Sequence, residues 1–401
     1  MKKVVLSAAA LMIGAFTFAQ NDSNVGQVGN DNVATVDQTG SNESNVTQGD
    51  NNTVGFSNIA DVTQNGASNK STVNQFDGDS GENRNNEAVV TQLQNNNTST
   101  ITQHNDDQIA DVYQDGNTNT STIDQSGGEN KADIDQLGDS NTATITQEGS
   151  DQAVGADVEP NNLSIVEQNG DGNTTTTSQL TVNGVQADRN TSDVLQNGNG
   201  NTATVVQSSS LNNSDIDQLA NNNTANIYQN NDNPENGRNQ AQILQTSDLN
   251  TATIDQDRDN GGSTGGTGSS IAYIEQTGST YNSALIEQRG KSLNSNIYQE
   301  GHNNFAYDEQ QGKRMNSDVD QIGDNNYSKV YQIVQDSEST VYQEGSDNEN
   351  NVRQTGHNHY SLVQQLGDNN ISSVNQKNQN QHSTVMQNGN GNMATVTQQN
   401  N

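Results

Sequence analysis

QNGNGNTATVVQ, residues 196–207, returns as QNGNGNMATVTQ at residues 387–398. Each phrase opens and closes on Gln, with Gly two places after the first Gln and Asn, Ala and Val six, four and two places before the second. Residues two apart along an extended chain point the same way. Asn201, Ala203, Val205 and Gln207 therefore line one face of a strand, and the residues between them line the other. Gly198 falls where the chain must bend, because glycine accepts backbone angles that a side chain obstructs. The later copy sets Gln387, Gly389, Asn392, Ala394, Val396 and Gln398 in the same places. QLGDSNTATITQ does so with Gln136, Gly138, Asn141, Ala143, Ile145 and Gln147. Each phrase reads as one turn and one strand.

The frame extends along nearly the whole chain. Anchoring glutamines run from Gln288 to Gln398 in ten consecutive steps of eleven, and the full set, beginning at Gln27, comprises 31 arms. Two places before those glutamines stands Val or Ile in 29 of the 31, and four places before stands Ala or Ser in 29. Thr177 and Asp308 break the aliphatic place; Thr175 and Asn350 break the small one. A disordered low-complexity chain has a biased composition but no reason to hold such a phase, so the pattern implies a stacked repeat. The fold class it predicts is all-β. Eleven-residue arms pair into coils of about 22 residues, and about 15 coils stack at roughly 4.8 Å into a β-solenoid of two facing parallel sheets with amyloid-like order. Asn and Gln carboxamides would bond to their copies above and below, which lets a polar chain build a dry interior.

Composition agrees with that narrow interior. Only 27% of the residues are hydrophobic and 4% aromatic, with no Trp and no Cys, too little for a conventional globular core of 401 residues. The absence of Cys excludes disulfides and thiolate metal sites. A formal charge of −34 argues against nucleic acid or an anionic membrane as a general partner. MKKVVLSAAALMIGAFTFAQ differs from everything after it, with two lysines, an uncharged apolar run and a polar switch. Residues 1–19 are expected to be a secretory signal peptide and residues 20–401 one repeat solenoid. No later segment could insert stably in a membrane.

Six connections exceed eleven residues by five or more: 48–64, 75–92, 147–168, 179–196, 229–245 and 256–276. With the arms numbered from Gln27, all six lead from an odd arm to an even one, which places their loops on one edge of the solenoid. Pro160, Pro234 and the tract GGSTGGTG fall inside them, where no ladder hydrogen bond is required.

The spacing of Gln136, Gly138, Asn141, Ala143 and Gln147, recurring at Gln196–Gln207 and Gln387–Gln398, resembles the repeat of the curlin family, whose members are subunits of curli amyloid fibres. That resemblance implies export as an unfolded chain through a dedicated outer-membrane pore, polymerisation outside the cell from a nucleator subunit, and a role in biofilm matrix, adhesion and cell aggregation. It implies a secreted protein in a cell-surface fibre whose chief partner is itself. Independently of any family, an uncovered sheet end is a template for another chain. Ser23, Val25 and Gln27 at one end, with Ala394, Val396 and Gln398 at the other, are the expected assembly arms.

Chemistry of other kinds finds little support. His357 and His359 form a lone HxH, and no nucleophile elbow or repeated GGxGxD calcium motif is present, so no catalytic, cofactor or metal residue is assigned. A monomeric ice-binding solenoid would need an unbroken outward threonine array, yet the place three before Gln is Thr in only 11 of 31 arms. A monomeric adhesin stalk would need a binding domain, and no segment between Ser23 and Gln398 has the composition of one.

Overall fold

The computed structural model describes residues 20–49, 55–76, 83–149, 161–181, 189–231, 238–257 and 269–399. Residues 1–19, expected from the sequence to be a signal peptide, both prolines and the glycine-rich tract lie outside them. All regular elements among the described residues are strands. Each arm pairs in parallel with the arm two places on, Gln opposite Gln: Gln125 with Gln147, Gln136 with Gln168, Gln376 with Gln398. A first sheet therefore carries the odd arms, from Gln27 to Gln398, and a second carries the even arms, from Gln38 to Gln387. In four places the chain stays in strand geometry around a corner and joins the sheets, over Val33–Gln48, Ile59–Phe76, Ser283–Gly301 and Phe305–Ile322.

Burial alternates residue by residue, as in Thr142–Glu148, where Ala143, Ile145 and Gln147 are buried and the threonines between them are partly exposed. The aliphatic column from Val46 to Val385 is inaccessible to solvent over most of its length. Each Val or Ile withdrawn from water contributes roughly 1.5–3 kcal/mol, and the small residues four places before Gln let the sheets close over this thin core. The weakest arm by sequence, Thr174–Leu180, is a strand like the rest, with Thr175, Thr177 and Gln179 buried in register.

The two corners differ. The corner entering the first sheet measures ten to twelve residues from Gln to Gln in every coil, and its inward place six before Gln is Asn without exception, from Asn21 to Asn392. The corner entering the second sheet receives all six long connections, each leaving a first-sheet strand and joining a second-sheet strand, as from Thr142–Glu148 to Asn162–Asn169. Its corresponding place is Asn in eight of fifteen coils; Gln108 interrupts the run, and from Ser270 on the place holds Ser270, Leu293, Met315, Ser337, His359 and Gln381.

Candidate assembly site: carboxamide ladders and their ends

Along the first sheet, each glutamine Nε2 donates to the Oε1 of the glutamine in the following coil. The chain of bonds runs from Gln27 to Gln48 at 2.7 Å, through Gln125 to Gln147 and Gln179 to Gln207 at 2.8 Å, to Gln376 and Gln398 at 2.8 Å. The second sheet repeats this from Gln38 to Gln64 at 2.6 Å, through Gln136 to Gln168 and Gln196 to Gln218, to Gln365 and Gln387 at 2.8 Å. The second Nε2 hydrogen goes across the core to a backbone carbonyl, Gln125 to Ile109 at 3.0 Å and Gln147 to Lys131 at 3.0 Å. A fully buried carboxamide thus meets its hydrogen-bonding needs, without which its burial would cost several kcal/mol. Every ladder bond points the same way, which gives the stack a polarity.

Asparagine fixes the first corner. Asn141 Oδ1 accepts the backbone N–H of Asn173 at 2.9 Å, and its Nδ2 donates to the carbonyl of Gly170 at 2.7 Å. Asn201 Oδ1 accepts from the Asn223 N–H in the same manner. Glycine is required beside it: Gly138 has φ +112°, and a Cβ there would stand 2.3 Å from the Gly170 carbonyl oxygen.

The arms that bound the described stack are less covered. Ser23, Val25 and Gln27 lie in Asp22–Gln27, which is exposed along its length, with Val25 44% accessible. At the other boundary Ala394 and Val396 are only partly buried against the core, Gly389 and Asn392 are exposed, and Gln398 is half-buried, whereas Gln387 remains covered. Gln136, Asn141, Ala143, Ile145 and Gln147, with Gln196, Asn201, Ala203, Val205 and Gln207, all lie inside the stack. The ends are chemically matched. Among the described residues Gln27 Oε1 accepts no ladder bond, and Gln398 Nε2, bonded to the His382 carbonyl at 2.8 Å, keeps one hydrogen for a further glutamine.

Ionisable groups depart from the repeat in two places. Asp308 occupies the aliphatic place between Ile286 and Val330 and is completely buried. Ser295 Oγ donates to its Oδ2, while Oδ1 has no partner among the described residues. Burial pushes its carboxyl up to about 7, and the facing hydroxyls of Ser295 and Ser317 only partly offset that. On the outward face of the second sheet, Asp111 stacks on Asp133 beside Asp135, and Asp193 on Asp215 beside Asp217. Burial among neighbouring strands, then mutual repulsion, raises Asp135 and Asp215 to about 6. Sequence reading marked Asp308 as an exception without revealing its isolation. His359 is buried in the asparagine place, and burial lowers its pKa. His357 beside it is half-buried, and among the described residues no three His, Asp or Glu side chains converge as metal ligands do.

Two parallel sheets closed by unidirectional carboxamide ladders define a structural β-solenoid, whose interior is hydrogen-bonded shut along its axis. The model of the curlin associated repeat matches residues 106–138, 127–157 and 345–377, so the chain carries repeats of the curlin type in these stretches. The matched stretches include the Gln125–Gln136–Gln147 and Gln354–Gln365–Gln376 steps of eleven, although Gln108 and His359 take the asparagine place in two of their arms. That repeat belongs to extracellular structural fibre subunits rather than to enzymes. No curated protein matches the chain.

Proposed function

We propose that this protein is a secreted structural subunit that polymerises head to tail into curli-like functional amyloid fibres, serving biofilm matrix, surface adhesion and cell aggregation. The observation that carries this reading is the common direction of both glutamine ladders, which leaves acceptors at Gln27 and Gln38 and donors at Gln387 and Gln398. Apposed ends continue both sheets across a joint without a change of geometry, a heterologous contact that propagates into a filament. Residues 1–19 would direct export, an outer-membrane pore of the curli type would pass the chain unfolded, and a nucleator subunit would present the first template.

Electron microscopy and fibre diffraction of the refolded chain lacking residues 1–19 test the proposal: filaments with reflections near 4.8 and 10 Å are expected. A stable, soluble monomer at high concentration would overturn it. Replacing Gln387 and Gln398 with Ala should slow filament growth more than replacing the outward Thr395 and Thr397; equal effects would count against growth through the ladders.

A further inference from the structure

The edge entering the second sheet carries a feature unrelated to the ladders. Seven places before Gln196, Gln218 and Gln245 stand Arg189, Leu211 and Arg238, which stack in successive coils. Arg189 and Leu211 hold φ near +57° and +63°, which turns their side chains out of the strand plane. Beside this column runs the outward column Leu163, Thr191 and Asn213, paired strand to strand. Together with Asn212 the two columns line an open groove of about 410 Å³. Neither guanidinium forms an ion pair or side-chain hydrogen bond among the described residues. Asp193 and Asp215 lie on the adjoining column, yet neither arginine is among the charges that set their titration.

We infer that this groove is a binding site for a short carboxylate-bearing oligosaccharide. Two forked cations held two coil steps apart, about 10 Å, suit carboxylates on alternate units of a chain lying along the solenoid axis. Arginine pairs with a carboxylate through two parallel hydrogen bonds. Leu163 and Leu211 between them offer a floor for the C–H face of a sugar ring, and Thr191 and Asn213 offer partners for its hydroxyl rim. A fatty acid would find too many polar groups here, and a neutral sugar would leave both guanidiniums unmatched. The net charge of −34 does not forbid a short anion, because at physiological salt the field of distant carboxylates is screened beyond about 8 Å.

Fluorescence anisotropy of labelled trigalacturonate titrated with the chain lacking residues 1–19, soluble or assembled, tests the inference at physiological ionic strength. Saturable binding is expected, displaced by unlabelled trigalacturonate and not by maltotriose. The double variant Arg189→Gln, Arg238→Gln should bind at least about tenfold more weakly, the loss expected when charge-assisted bonds are removed. Both side chains lie outside the core, so the variant's circular dichroism should match the parent's. Absence of saturable binding, equal displacement by maltotriose, or an unweakened double variant would each overturn the proposal. So would a double variant that loses lateral bundling of copies while the parent fails to bind trigalacturonate, since the groove would then face a second copy.

Discussion

The two corners of the coil perform the same turn under different constraints. Where the chain enters the first sheet, an asparagine clamps each turn by accepting a backbone N–H on one side and donating to a turn carbonyl on the other, as Asn304 does to Gly323 at 2.7 Å and for Asn326 at 3.0 Å. A clamp made of two fixed-length bonds leaves no room for a loop, and the turn gains at most one residue, between Gln276 and Gln288. Where the chain enters the second sheet, five of the six long connections rejoin the stack at an asparagine, such as Asn162 opposite Asn130 or Asn190 opposite Asn162. The sixth rejoins at Ser270. The coils after Ser270 carry no long insertion and dispense with asparagine at this corner, filling the place with Leu293 and Met315. Asparagine at the second corner thus acts as a register mark after a loop, whereas at the first it sets the length of the turn.

Moving a loop from one corner to the other would test this difference most severely. An eight-residue Gly/Ser insertion between Gly323 and Asp324, at the first corner, should abolish ordered assembly, because the Asn304 and Asn326 clamps cannot both close. The same insertion between Gly127 and Gly128, in a bend at the second corner, should cost little beyond loop closure, a term that grows slowly with length. Filament yield and the midpoint of denaturant unfolding are the readouts; equal loss at both corners would dissolve the distinction.

Asp308 sharpens it further. The residues that face it across the core, Ser295 and Ser317, follow Leu293 and Met315, so the second corner supplies no polar clamp in these coils. Among the described residues no titratable side chain shares its inward face: Ile286 and Val330 stack on either side of it, and Glu287, Glu309, Arg289, Lys329 and the tyrosines of these strands point outward, Glu309 adding a small upward push. With the folded value raised from 3.8 to about 7, the unfolded chain releases its proton first as pH rises. The stabilisation is complete below about pH 4, declines from there, and is lost above about pH 7. A shift of this size corresponds to roughly 4 kcal/mol. Unfolding midpoints measured from pH 4 to 8 should show that decline, and Asp308→Val should flatten it and raise stability at pH 8. A variant with the parental slope would mean that another group controls it.

How much of this was open to inspection in the sequence depends on whether stacking imposes identity. A ladder demands the same residue in every coil, so the Gln and Val places, the strand faces and the parity of the long connections are written repeatedly and can be read without coordinates. Asp308 is a single departure, and its isolation depends on which serines face it across the core. Arg189, Leu211 and Arg238 are separated by 22 and then 27 residues, because one step contains a loop, so their column emerges only after the arms are stacked. The asymmetry of the corners was written in the sequence but hidden until odd and even arms were compared separately.

The acidic columns of the second sheet give the smallest effect, and salt distinguishes it from that of Asp308. Asp111, Asp133 and Asp135 repel one another on a surface that water still reaches, with Lys131 the nearby cation. Their raised values have the same sign as that of Asp308: stability favoured by acid is lost as pH rises through about 6 for Asp135. Because the groups are half-exposed, Asp135→Asn should stabilise the stack near pH 8 by only about 0.5 kcal/mol at low salt. That gain should vanish at 0.5 M salt, where solvent-exposed charges are screened within a few ångströms. The Asp308 slope should persist at the same salt, because no electrolyte enters the core. If both responses faded together, the acid dependence would belong to the surface columns, and the second corner's apolar closure in the coils of Leu293 and Met315 would have no electrostatic consequence.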